Sequence, residues 1–98
     1  MNNAILTVTD ATLVAANPAD RKTGLLGFIA VTINGRLRID GLTLRRSMAG
    51  RITVSFPEKR DAAGRPIHLV RPLDADTQRS IERQILEQLA ITDSGAEL

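Results

Sequence analysis

The residues with most to offer chemically are cations. Lys59-Arg60 follows Phe56-Pro57-Glu58, with Arg51 before them and Arg65 and Arg71 after. Residues 36–71 hold nine Lys and Arg against three Asp and Glu, whereas residues 72–98 hold two against six. Eight of those nine cations are Arg, whose planar fork grips a phosphate through two parallel hydrogen bonds. Arg45, Arg46, Arg79 and Arg83 are further candidate contacts. Their spacing fits other roles equally: Arg79 with Glu82 or Arg83 with Glu87 would pair along a helix, and Arg45-Arg46 would protect a sheet edge. Neutralising phosphates requires neither fixed geometry nor aromatic rings. With two Phe and no Trp or Tyr, a stacking platform for single-stranded bases is excluded.

Other chemistry finds little support. The chain has no Cys, which excludes disulfides, Cys-ligated zinc, iron–sulfur clusters and thiol catalysis. The single His, His68, lies between Ile67 and Leu69 and reads as a surface or hydrogen-bonded residue. Asp10 and Asp40 stand apart in sequence and make no carboxylate pair. Gly24-Leu25-Leu26-Gly27 precedes a strand pattern, whereas a phosphate loop requires a helix there. No nucleophile, base and orienting group can be assembled. The expectation is a non-enzyme with no metal, no cofactor and no small-molecule substrate.

The elements that must position the cations are mostly strands. Ile5–Ala15 is β-branched and apolar. Asn17-Pro18-Ala19-Asp20 and Arg21-Lys22-Thr23-Gly24 read as a turn and polar loop. In Leu25–Ile33, Leu25, Ile29, Val31 and Ile33 share one face while Leu26, Phe28 and Ala30 share the other, as in a central strand covered on both sides. Asn34-Gly35 predicts a type I′ hairpin, and a strand returns over Arg36–Arg46. Its apolar phase shifts between Leu37, Ile39 and Leu42, Leu44, which places a β-bulge at Asp40-Gly41. After the Ser47–Gly50 turn, Arg51–Phe56 alternates cleanly and Pro57 ends its ladder. Glu58–Arg65 reads as a charged loop with Asp61-Ala62-Ala63-Gly64 as its turn, and Pro66–Val70 as a short fifth strand. Asp74 is a candidate N-cap for a helix from Ala75 to about Ala90, with Ile81, Ile85 and Leu89 on one face, widened by Leu86.

A chain of 98 residues, 43% hydrophobic and 24% charged, makes one globular domain. The predicted fold is α+β: an antiparallel sheet of about five strands with one C-terminal helix, residues 91–98 forming a flexible tail. One helix covers only part of one sheet face, so a homodimer is expected, through a sheet edge, a sheet face or exchange of the C-terminal element. No apolar run is long enough to span a membrane and no signal peptide is visible, so the expected location is cytoplasmic and the expected partners exclude membranes.

The order of motifs resembles the SpoVG family, the stage V sporulation protein G or septation regulators. The resemblance rests on Val8-Thr9-Asp10, Arg21-Lys22, Ile39-Asp40-Gly41 and above all Phe56-Pro57-Glu58-Lys59-Arg60-Asp61-Ala62-Ala63-Gly64, and spans residues 8–90. It implies a small bacterial cytoplasmic homodimer, with the terminal helix involved in exchange between subunits. Such a protein binds DNA and also RNA, and regulates gene expression, cell division (septation) or sporulation without enzymatic activity. Pro57, Lys59 and Arg60 match the family's Pro-x-Lys-Arg element, whose basic pair is implicated in nucleic-acid binding. This chain departs from the pattern with Glu58 in place of Ser, and with Arg65-Pro66-Ile67-His68 in place of a segment containing an aromatic. It has Arg71-Pro72 where the family has His-Pro. The expected site is therefore Lys59, Arg60, Arg65, Arg71 and Arg51. The alternative is a protein–protein interaction module whose exposed sheet edge or C-terminal helix recruits an acidic partner without nucleic acid.

Overall fold

Asn34 and Gly35 set the centre of the fold. Both have positive φ (53° and 66°), and Arg36 N–H closes the turn on Ile33 C=O at 3.0 Å, as an Asn-Gly hairpin requires. In the structure, a computed structural model that describes residues 6–91, this turn joins β2 (Leu25–Ile33) to β3 (Leu37–Arg46). β1 (Val8–Ala15) flanks β2 and β4 (Ile52–Ser55) flanks β3, giving a four-stranded antiparallel sheet in the order β1-β2-β3-β4. A second sheet has two strands, β5 (Glu58–Arg60) and β6 (Pro66–His68). The helix α2 (Ala75–Leu89) follows. A single helical turn, α1 (Pro18–Arg21), occupies the segment that reads as a loop. It forms because the Asn17 side chain accepts from Asp20 N–H at 2.8 Å and Pro18 sits at its first turn.

The single five-stranded sheet expected from the sequence is therefore corrected to four strands plus two. Pro57 supplies no N–H and interrupts the ladder, and the Glu58–Arg60 segment pairs with Pro66–His68 instead of joining the main sheet. The Glu-Lys-Arg run lacks apolar alternation because all six residues of this hairpin are exposed.

Two irregularities decide which side chains reach the core. On β3 the register slips between the Ile29–Leu42 and Val31–Ile39 pairs, and Gly41 takes φ 87°. The expected bulge is there, and it lets Ile39 and Leu42 serve one face. On β2 a second slip lies between the Leu25–Arg45 and Gly27–Leu44 pairs. Leu26 consequently joins Ile29, Val31 and Ile33 in the core rather than lying opposite them. Against these residues pack Leu42, Leu44, Ile52 and Val54 from the sheet and Ile81 and Ile85 from α2. Within the single chain the other face of β2 is uncovered: Phe28 is 45% exposed and its cross-strand neighbour Val14 68%.

α2 starts where Asp74, in extended backbone, accepts Thr77 N–H at 2.7 Å. Hydrogen bonds from the Thr77 N–H first, and from its hydroxyl, hold the Asp74 carboxyl below its ordinary value. The helix ends at Ala90, which enters the left-handed region at φ 58° so that Ile91 N–H reaches Leu86 C=O at 2.9 Å. Ile91 is then buried in the core and is not part of a tail; residues 92–98 lie outside the described residues. Polar side chains of α2 also cap both sheet edges. Gln84 Oε1 accepts Val8 N–H on β1 at 2.8 Å, and Glu82 Oε2 accepts Val54 N–H on β4 at 2.7 Å. No helix among the described residues is long and apolar enough to cross a membrane.

Candidate nucleic-acid interface

The β5–β6 hairpin is held together at its tip by one carboxylate. Asp61 Oδ1 accepts the N–H groups of Ala63 and Arg65, both at 2.9 Å, while Oδ2 meets Arg65 Nε at 3.1 Å. Asp61 N–H donates to Arg65 C=O, and Gly64 N–H to Asp61 C=O. The Arg65 amide above all, then that of Ala63 and the Arg65 guanidinium, hold the Asp61 carboxyl below its ordinary value, although partial burial opposes them. At the root, Glu58 lies opposite His68, with Oε1 3.8 Å from Nδ1.

Between root and tip stand the expected contact residues. Lys59 opposes Ile67 and Arg60 opposes Pro66. Lys59 is exposed and makes no ion pair among the described residues. Arg60 donates from Nη1 to Gly64 C=O at 2.9 Å, a neutral partner that fixes the fork without cancelling its charge. Arg65 shares its charge with Asp61. Arg71 lies at the hairpin root, in a cleft of about 300 Å³ shared with Glu58, His68, Ser55 and Gln78. His68 thus has a carboxylate partner and a place in this cleft.

The remaining candidates do not join this group. Arg51 precedes β4 and the hairpin follows it, so the two are separated by the length of that four-residue strand, about 13 Å. Arg51 instead meets Arg79 and Arg83 in an open groove of about 370 Å³ between β4 and α2. Arg79 pairs with Asp76 rather than Glu82, and Arg83 faces Glu87 at 4.0 Å. Arg45 lines a separate depression with Thr43, Ser55 and Glu58. Arg46 departs from the reading of Arg45-Arg46 as an edge-protecting charge pair, since β3 is an inner strand. It lies opposite Ile52 on the core-facing row, and its Nε is buried with no hydrogen-bond partner among the described residues.

One cluster is not evident in the sequence. Asp10 and Asp40, distant in the chain, are both brought to Arg38, at 3.8 and 3.6 Å, beside Thr12. Strand pairing alone creates this arrangement, since Asp10, Thr32 and Arg38 are neighbours across three strands. No group of three or more His, Cys, Asp and Glu placed to hold a metal occurs among the described residues.

The chain matches no protein-family model and no curated protein sequence.

Proposed function

We propose that this chain is a SpoVG-like, homodimeric nucleic-acid-binding protein. It holds the phosphates of DNA, and of RNA, through its β5–β6 hairpin, and acts without an enzymatic step as a cytoplasmic regulator of gene expression, septation or sporulation. The observation that carries this reading is the hairpin itself. It pairs only with itself as a sheet, all six strand residues are exposed, and Lys59 and Arg60 have no carboxylate partner among the described residues. Arg65 and Arg71 extend the cationic surface at the tip and the root. Contacts of this kind position a polyanion without reading its bases.

The test is equilibrium binding to a duplex oligonucleotide across a salt series. A dimer contacting about four to six phosphates gives log K against log salt a slope of roughly −4 to −5. The double variant Lys59→Glu, Arg60→Glu is expected to weaken binding to all sequences alike and to flatten that slope. Binding indifferent to salt, or unchanged in the double variant, refutes the proposal.

A further inference from the structure

Independently of the nucleic-acid reading, we infer that the groove between β4 and α2 captures the carboxylates of an acidic peptide segment on a partner protein. The argument begins with backbone direction. β4 is the last strand of its sheet. Ser47 N–H donates to Arg51 C=O across the preceding turn, so antiparallel alternation aims the amides of Thr53 and Ser55 at β3 and those of Ile52 and Val54 outward. Val54 shows what such an amide takes here: its N–H donates to a carboxylate, Glu82 Oε2, at 2.7 Å. Ile52 N–H points to the same edge about 6.8 Å further along, and no described side chain caps it.

Around that amide the charge is complementary to a carboxylate. Arg51, Arg79 and Arg83 line the groove, and Arg51 makes no ion pair among the described residues. Arg79 and Arg83 hold only exposed intrahelical partners, Asp76 and Glu87, and pairs of this kind are weak and exchangeable. Of the two carboxylates that also line the groove, Glu82 is held by Val54 N–H, and Glu87 lies 4.0 Å from Arg83. Between the guanidinium groups the floor is apolar, formed by Ile52, Leu86 and Ile91. Phosphate backbone offers nothing to such a floor. A peptide that alternates acidic and apolar side chains matches both features: one carboxylate on Ile52 N–H and Arg51, the next on Arg79 and Arg83, and an apolar side chain over Leu86.

The test is a nitrogen–proton NMR titration of the full chain with an octapeptide of alternating Glu and Leu. The Ile52 amide is expected to shift, with micromolar affinity. Arg51→Glu should weaken binding about tenfold or more, as should Arg83→Glu, which carries the comparison if the first variant perturbs the fold. The same peptide with Gln for Glu should not bind. The Lys59→Glu, Arg60→Glu variant should bind the peptide normally, which separates this site from the hairpin. Equal binding of the Gln peptide, indifference to both groove variants, or a DNA duplex moving the Ile52 amide as strongly as the peptide does overturns the inference.

Discussion

Asp61 shows how much structure one side chain can hold in a hairpin with no apolar core. It accepts two backbone N–H groups and a guanidinium N–H, an arrangement available only to the carboxylate form. Because folding lowers its pKa below the ordinary 3.8, its contribution is complete above that value and is lost as pH falls through the lowered one. Hydrogen exchange at the Ala63 and Arg65 amides is therefore expected to accelerate, relative to the core amides, only on acidification below that range. In Asp61→Ala the same two amides should exchange rapidly at every pH. Equal protection in the variant near neutral pH rejects this account. The Asp-x-x-Gly run was legible as a turn, but the pairing of Asp61 with Arg65 required the closed tip, which brings the two ends of the turn together. Arg46 was legible only as a charge; its place opposite Ile52 follows from strand register.

At the level of elements, the helix was the most readable part of the chain. Asp74 caps it, Ile81 and Ile85 are buried by it, and its signals all lie within a few residues of one another. Its end was less readable, since Ala90 carries no sequence signal for the left-handed conformation it adopts. An L-residue there costs about 1–2 kcal/mol, partly offset by the extra freedom glycine gives the unfolded chain. Ala90→Gly is expected to stabilise the protein by about 0.5–1 kcal/mol, measured by urea denaturation; a loss of stability contradicts the cap geometry. Conversely, Ile85, fully buried between α2 and the sheet, should cost about 2–5 kcal/mol on truncation to Ala. The five-strand reading failed at β5 for a physical reason. A strand exposed on both faces has no period-2 burial pattern to betray it.

For the whole molecule, the open sheet face sets the expectation about assembly. α2 caps an amide on each outer strand and fills its own sheet's core with Ile81 and Ile85. On the sheet face away from α2, the row containing Val14 and Phe28 is left exposed. A homodimer through this face is expected to give light scattering at twice the 10.6 kDa chain mass, and Phe28→Arg should return it to a single chain. A wild-type protein that scatters as one chain at micromolar concentration removes the dimer from the proposal. Charge is likewise a property of the whole. The cations between residues 36 and 71 look like one belt in sequence, yet the fold scatters them: Lys59, Arg60, Arg65 and Arg71 lie at the hairpin, Arg51 in the groove beside α2, Arg38 with Asp10 and Asp40, and Arg45 in a separate depression.

Turns, caps and alternation were set by the sequence itself: the Asn34-Gly35 hairpin, the bulge at Gly41, the β4 alternation and the Asp74 cap each depend on a handful of neighbouring residues. Tertiary structure alone decided that Leu26 enters the core, that Glu58–Arg60 pairs with Pro66–His68, that Arg38 meets both Asp10 and Asp40, and that Arg51 faces Arg79 and Arg83. Local conformation follows from sterics and hydrogen bonds within a few residues. Which faces meet is a competition among distant segments for burial, and no single stretch of chain contains its outcome.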